Sequence, residues 1–117
     1  MRHRRLGKTG LEVSELSLGT WGLSGDGYGP VPDDEQDRVI ERARAVGLTL
    51  FETADSYGHG AMEARLGRLL GDDAQLHIVT KIGTDREARV PRKRFDPEYL
   101  KASLDRSQQR SQRDSLL

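Results

Sequence analysis

Two segments in the first part of the chain carry apolar residues at helical spacing. The first begins at Asp33 or Asp34, where a carboxylate can cap the first turn and complement the helix dipole, and it ends near Gly47. The second covers residues 61–70 and is stopped by Gly71-Asp72-Asp73. Both patterns predict amphipathic helices. The apolar positions of the first are Val39, Ile40, Ala43 and Val46.

A third helix is predicted after Asp96-Pro97-Glu98, which puts a capping residue, a proline and an early acid in the order that favours a helix start. Its apolar character then fades into serine and glutamine and returns only at Leu116 and Leu117, which begin a further apolar element. The side chains expected to pack are Tyr99, Leu100, Ala102 and Leu104.

Four segments have the pattern of short strands. Residues 4–13 flank the turn-rich centre Gly7-Lys8-Thr9-Gly10 and predict a β-hairpin. Residues 13–18 alternate apolar and polar side chains, which predicts a strand of period two. Residues 48–51 and 76–82 are mostly apolar or β-branched and predict buried strands.

The order of these elements is hairpin, then strand and helix three times, within a single domain covering residues 1–117. Such alternation predicts right-handed βαβ units and a parallel sheet, an α/β fold. Ligand-binding loops of these folds gather at the carboxyl ends of the strands. Two polar segments are expected to be loops, the glycine-rich residues 22–32 and the arginine-rich residues 83–94.

Composition narrows the classes of function. Lys plus Arg and Asp plus Glu each number 19, so the formal net charge is zero and no global basic field favours nucleic acid or an acidic membrane. Cysteine is absent, which excludes disulfides and thiolate ligands and fits a reducing cytoplasm. No apolar run approaches the ~18 residues that span a bilayer, and no signal peptide is predicted. We therefore expect a cytoplasmic protein without nucleic-acid or membrane partners.

Ionisable side chains that could take part in catalysis follow the predicted strand at residues 48–51. Glu52, Asp55 and Tyr57 lie there in quick succession before Gly58. A plain strand followed by a polar turn would also fit this segment. Lys81, near the carboxyl end of a later apolar run, is unusual, and it fits a water-facing edge lysine as well as a functional one.

Residues 83–94 could contact phosphate through their arginines. A solvated loop fits better, because no aromatic side chains are interleaved and Asp85 and Glu87 are close by. His3, His59 and His77 are interpreted as loop or strand residues, and no metal site is predicted.

Four ordered motifs resemble the aldo-keto reductase family. They are Leu6-Gly7-Lys8-Thr9-Gly10-Leu11, Leu18-Gly19-Thr20-Trp21, Phe51-Glu52-Thr53-Ala54-Asp55-Ser56-Tyr57-Gly58 and Val79-Thr80-Lys81. The resemblance implies the amino-terminal portion of a (β/α)8 TIM barrel: a hairpin that closes the barrel bottom, then about three βα units with a parallel sheet. It also implies an oxidoreductase that uses NADP(H) to reduce aldehydes or ketones to alcohols.

Carried over to this chain, the family's catalytic roles fall on three residues. Tyr57 matches the proton donor, Lys81 the lysine that assists it, and Glu52 the position of an aspartate that pairs with that lysine. An unperturbed tyrosine has a pKa near ~10, so a nearby cation is needed for proton transfer near neutral pH. The family's cofactor-binding positions correspond here to Gly19, Thr20, Trp21 and Glu52.

The resemblance also sets a limit on the expected activity. The family's catalytic histidine follows a segment that resembles Arg113-Asp114-Ser115-Leu116-Leu117, and no residue of this chain matches it. We therefore expect a truncated form with little or no turnover by itself. The alternative is a non-catalytic barrel fragment that self-associates, or binds a partner chain, through the open sheet.

Overall fold

The computed structural model describes residues 1–71 and 73–117, and Asp72, in the predicted stop of the second helix, lies outside them. The helices are α1 (Asp33–Ala45), α2 (Ala61–Leu70) and α3 (Pro97–Ser111), with a short 3₁₀ turn at Tyr57–Gly60. The strands are β1 (His3–Arg5), β2 (Glu12–Ser14), β3 (Leu18–Gly19), β4 (Leu50–Glu52), β5 (His77–Val79), β6 (Thr84–Asp85) and β7 (Arg92–Lys93).

The central sheet is parallel, with strand order β3-β4-β5. Leu18 lies opposite Phe51, and Phe51 lies opposite Ile78. The Leu117 N–H donates to the Ile78 carbonyl at 3.0 Å, and the Thr80 N–H donates to the Leu117 carbonyl at 3.1 Å, so the last residue continues the sheet beyond β5. The predicted α/β fold with a parallel sheet is confirmed.

The predicted amino-terminal hairpin is also confirmed, since β1 and β2 pair antiparallel. It is joined to the sheet at Ser14, whose N–H donates to Thr49 Oγ1 at 2.9 Å while the Thr49 N–H donates to Ser14 Oγ at 2.9 Å. The single strand predicted at residues 13–18 is wrong, because the chain bends between β2 and β3. At the bend the Ser14 hydroxyl donates to the Leu16 carbonyl at 2.6 Å, a local bond that competes with an extended strand.

The core lies between one face of the sheet and the helices. Burial alternates along β4 and β5, so that Phe51 and Ile78 are enclosed while the residues on either side of each are half-buried. Burying side chains of this size contributes about 2 kcal/mol each. The other main members of this core are Ile40, Ala43, Met62, Leu66, Leu70 and Leu76.

The start of α1 differs from the prediction of an Asp33 or Asp34 cap. Asp33 is already helical, and Pro32 occupies the cap position in an extended conformation with no side-chain cap. The Pro32 carbonyl accepts from the Gln36 N–H at 3.0 Å and so opens the helix. The Asp33 carboxylate instead contacts Arg65 on α2, which ties the two helices together.

Helix α3 begins as predicted, with Asp96 accepting from the Tyr99 N–H at 3.0 Å. Its buried face differs from the prediction, because Leu104 is exposed and the enclosed residues are Ser103, Ser107 and Ser111. Small side chains are needed there, since a Cβ at Gly67 of α2 would lie 2.7 Å from the Ser111 carbonyl oxygen. The two helices therefore pack more closely than leucines would allow.

A buried carboxylate connects this helix pair to the sheet. Glu63 on α2 is fully enclosed; its Oε1 accepts from the Thr80 hydroxyl at 2.6 Å and its Oε2 from Arg110 Nε at 2.7 Å. A buried charge is tolerated only when it is paired and hydrogen-bonded, and Glu63 meets both conditions. The network joins α2, α3 and the end of β5.

The arginine-rich segment is more ordered than the predicted loop. Strands β6 and β7 form an antiparallel pair, Asp85 opposite Arg92. Asp85 is buried, and its carboxylate accepts from the Ala88 N–H at 3.2 Å and lies 3.5 Å from Arg92 Nε. The pairing of Asp85 with Arg92 thus stabilises a hairpin that the pattern of apolar residues in the sequence does not predict. Within the described ranges, no helix has the length and apolar character needed to span a membrane.

The contact between α2 and α3 gives a stability test. Replacing Gly67 with Ala removes a helix-weakening glycine but forces a methyl group against the backbone of α3. We expect a net loss of about 1–3 kcal/mol in the free energy of unfolding, measured by urea denaturation. Ala64→Ser on the exposed face of α2 is the matched control, and it should change stability by less than about 0.5 kcal/mol. A Gly67→Ala protein as stable as the parent would contradict the close packing.

Candidate functional site

The predicted site residues come together where the parallel strands end. Gly19 ends β3 and Glu52 ends β4, and they lie opposite each other in the sheet. Thr20 is fully buried, and both its N–H and its hydroxyl donate to the Glu52 carbonyl, at 2.9 and 3.0 Å. The backbone that carries the Glu52 carboxylate is therefore held from the neighbouring strand.

Lys81 lies just past β5 and connects Glu52 to Tyr57. Its Nζ contacts Glu52 Oε1, donates to the Thr53 carbonyl at 3.0 Å and lies 4.9 Å from the centre of the Tyr57 ring. Partial burial lowers the pKa of the Lys81 ammonium, while the adjoining carboxylate favours its charged form. A cation over an aromatic ring is an attractive arrangement, so Lys81 is held between an acid and a phenol.

The loop bearing Tyr57 is held on both sides of that residue. Arg86 Nη1 donates to the Ser56 carbonyl at 2.7 Å, and the Gly58 N–H donates to Asp26 Oδ2 at 2.8 Å. The Asp55 N–H donates to the Lys81 carbonyl at 3.0 Å, which extends the pairing of β4 and β5 into the loop. The Tyr57 side chain is half-buried against the core.

Asp26 is a site-supporting residue that the sequence analysis missed. Its hydrogen bond from Gly58 is the main cause of a lowered pKa for its carboxyl, assisted by the Ser24 hydroxyl and Arg86. Asp26 lies in the glycine-rich segment at residues 22–32, far along the chain from Tyr57. The only local signal is a serine two residues before an aspartate, a spacing typical of a turn.

Asp55 has a different environment from Glu52. Burial raises the pKa of its carboxyl, and the nearby charge of Glu63 acts in the same direction. Asp55 lines a neighbouring cavity. Nowhere in the described part of the chain are three or more His, Asp or Glu side chains grouped so as to hold a metal ion.

Trp21 follows Thr20 just past the end of β3 and keeps 44% of its surface exposed. Its ring meets that of Tyr28 edge-on, with centroids 5.4 Å apart. A Cβ at Gly19 would lie 3.3 Å from Glu52 Oε2, so the glycine leaves space beside the carboxylate. The strand end thus combines an open backbone, a carboxylate and an exposed aromatic ring.

Comparisons with known proteins agree with this arrangement. A model of the aldo/keto reductase family matches residues 15–116. Aldo-keto reductase AKR11C1 from Bacillus halodurans, in its holo form, is 26% identical with a TM-score of 0.85, over 99% of this chain and 38% of that one. A protein from Pseudomonas aeruginosa assigned to the aldo-keto reductases is 36% identical with a TM-score of 0.81, over 97% of this chain and 43% of that one.

Glycerol dehydrogenase AKR11B4 from Gluconobacter oxydans is 27% identical, with a TM-score of 0.81, over 97% of this chain and 37% of that one. The chain thus spans less than half the length of these structures. It is similar to them over almost all of its own length, and the similarity includes the strand ends that carry Glu52, Tyr57 and Lys81.

The support that Asp26 gives to the Tyr57 loop should depend on pH. Because the folded-state pKa of Asp26 is lowered, its carboxylate stabilises the fold above the unfolded pKa of 3.8, and this contribution is lost as the pH falls toward the folded value. We expect Asp26→Ala to cost about 1 kcal/mol of unfolding free energy at neutral pH, with the difference from the parent narrowing below pH ~4. Urea denaturation at several pH values measures it. Glu41→Ala, on the exposed surface of α1, is the control; a pH-independent difference would contradict the assignment.

Proposed function

This chain belongs to the aldo/keto reductase family of oxidoreductases, and we propose that it contributes to the NADP(H)-dependent reduction of an aldehyde or ketone to an alcohol. Tyr57 would be the proton donor and Lys81 and Glu52 its electrostatic partners. The observation that carries the proposal is the position of Lys81, which contacts Glu52 while its ammonium lies 4.9 Å from the Tyr57 ring centre.

The proposed chemistry follows from these charges. Carbonyl reduction requires a hydride at carbon and a proton at oxygen, and NADPH supplies the hydride when bound. The Tyr57 hydroxyl gives its proton to the carbonyl oxygen and is left as a phenolate. The Lys81 cation stabilises that developing negative charge. Glu52 keeps the ammonium in place, so that no reorganisation is needed during proton transfer.

Glu52 stands where the family has an aspartate, one methylene shorter. The contact between Glu52 and Lys81 is made despite the longer side chain. Gly19 gives the carboxylate room, because any side chain there would press on Glu52 Oε2. The substitution is therefore compatible with the proposed role.

The residues at the end of β3 suit the nicotinamide end of NADPH. Gly19 leaves the strand end open, the Thr20 hydroxyl is engaged with the Glu52 carbonyl, and Trp21 presents an exposed aromatic ring. Gly19, Trp21 and Glu52 would hold the ring of the cofactor. Thr20, also predicted to bind it, is fully buried and instead fixes the strand end through its bonds to the Glu52 carbonyl. No residue of this chain matches the family's histidine, so we expect turnover by this chain alone to be weak.

The proposal predicts that one variant, Tyr57→Phe, loses carbonyl reduction but still binds NADPH. We expect Tyr57→Phe to lower any NADPH-dependent reduction of an activated aldehyde by about 100-fold or more, because only the proton donor is removed. Trp21 is the single tryptophan, so quenching of its fluorescence reports NADPH binding at the proposed site. That quenching should persist in Tyr57→Phe, and a parallel titration with NADH tests the preference for NADPH.

Tyr28→Phe is the matched control, since Tyr28 is 84% exposed and the change keeps its ring beside Trp21. It should leave both readouts unchanged. Equal turnover in Tyr57→Phe and the parent would show that Tyr57 is not the donor. An absence of Trp21 quenching by either nucleotide would contradict the proposed cofactor site.

A second candidate function is assembly, and the alternation of burial in the sheet favours it. Phe51 and Ile78 point to the helices, so the residues beside them point to the opposite face. That face carries Leu50 and Val79, which are only half-buried. Partly exposed apolar side chains on a sheet face favour association with a second copy of the chain.

Size-exclusion chromatography over a range of concentrations tests this candidate. Self-association through the face predicts a larger species as concentration rises, and Val79→Lys should shift it back toward monomer. Val90→Lys, at a residue that is 72% exposed on the far hairpin, is the control and should have no effect. A parent protein that elutes as a monomer at every concentration would contradict assembly.

A further inference from the structure

A second concave site lies beside the loop of Tyr57. Its volume is about 630 Å³, and it is an open cleft bordered by that loop, the β6–β7 hairpin and α3. Asp55 and Ser56 form the wall shared with the loop, whereas Tyr57, Lys81 and Glu52 are not part of the lining. It is therefore a cavity separate from the proposed reaction centre.

The lining is rich in arginine. It contains five arginines against three carboxylates, Asp55, Asp85 and Glu87. Guanidinium groups present several N–H donors in a planar fork that matches the oxygens of phosphate and carboxylate groups. The arginines come from the hairpin and from two successive turns of α3. They are Arg86, Arg92, Arg94, Arg106 and Arg110.

Three of these arginines are engaged with carboxylates. Arg110 is bonded to the buried Glu63, and Arg94 donates to Asp96 from Nε at 2.9 Å and from Nη2 at 3.1 Å. Arg92 lies 3.5 Å from Asp85. These pairs fix the hairpin and the helix that form the walls.

The other two have unused donors. Arg106 donates from Nη2 to Ser103 Oγ at 2.9 Å and forms no ion pair with any residue that the structure describes. Arg86 donates to the Ser56 carbonyl and lies 4.0 Å from Asp26, at the outer limit of an ion pair. Most N–H groups of both guanidiniums thus remain available to a ligand.

Two cations also share one aromatic ring. The guanidinium carbons of Arg94 and Arg106 lie 4.4 and 5.8 Å from the centre of the Tyr99 ring. Cation–π attraction holds each of them beside the ring. Because Arg94 is already paired with Asp96, the charge at this ring that has no ion-pair partner among the described residues is that of Arg106.

We infer that this arginine cavity is a binding site for the anionic group of a small molecule, a phosphate or a carboxylate, held chiefly by Arg106 and Arg86. The inference is independent of the proposed reaction, because none of the residues assigned to proton transfer lines the cavity. A nucleic-acid backbone fits less well. It needs an extended basic surface, whereas this site is concave and contains three acids.

The test is direct binding to the full chain. Inorganic phosphate and citrate are each titrated by isothermal calorimetry and by amide chemical shifts, at constant ionic strength set with chloride. We expect saturable binding of at least one of them, with shifts confined to the β6–β7 hairpin, the Tyr57 loop and α3. The tighter of the two anions identifies a phosphate or a carboxylate as the preferred group.

Arg106→Gln should weaken that binding at least tenfold, and Arg106→Lys should weaken it less, because the charge is kept while the fork is lost. The matched control is Arg38→Gln on the exposed side of α1, which should bind like the parent. Circular dichroism verifies that each variant is folded.

Several outcomes would overturn the inference. They are shifts that rise linearly without saturation for both anions, equal affinity in Arg106→Gln and the parent, or shifts spread over unrelated surfaces. A short DNA duplex that binds more tightly than either anion and depends on Arg106 would replace it with a nucleic-acid surface.

Discussion

The in-register parallel pairing of β4 with β5 is the constraint on which the rest of the structure depends. It puts Phe51 beside Ile78 on the helix side, which forms the centre of the core. The same register carries the Thr53 N–H to the Val79 carbonyl at 2.8 Å and the Asp55 N–H to the Lys81 carbonyl. Glu52 lies opposite Val79, two residues before Lys81, and the Lys81 ammonium contacts its carboxylate. A shift of one residue in the register would turn one of the two side chains to the opposite face.

Helices α2 and α3 stabilise the backbone at the end of β5. Glu63 bonds both Thr80, directly before Lys81, and Arg110 of α3. Because Gly67 and the serines of α3 let the helices approach closely, the arginine can reach this buried carboxylate. Close packing and a satisfied charge thus fix the backbone next to Lys81, and they place Arg106 and Arg110 at the wall of the second cavity.

Two segments that contain few apolar residues organise the front of the site. Asp26 bonds the backbone at Gly58, and Arg86 bonds it at Ser56, so Tyr57 lies between two polar anchors. Arg86 also lines the arginine cavity, so one side chain contacts both that cavity and the Tyr57 loop.

The sequence by itself determined the α/β alternation, the bounds of α2 and the start of α3, because apolar spacing and caps are local signals. Its motifs also singled out Glu52, Tyr57 and Lys81, whose side chains the structure brings together and whose catalytic roles stay a prediction. It did not reveal the serine-lined face of α3, since a small residue becomes a packing residue only when a glycine on another helix faces it. Nor did it reveal Asp26 or the arginine cavity, whose members are far apart in the chain. Only the tertiary structure decided these features, because backbone hydrogen bonds and charge pairs between distant segments leave no periodic pattern in the sequence.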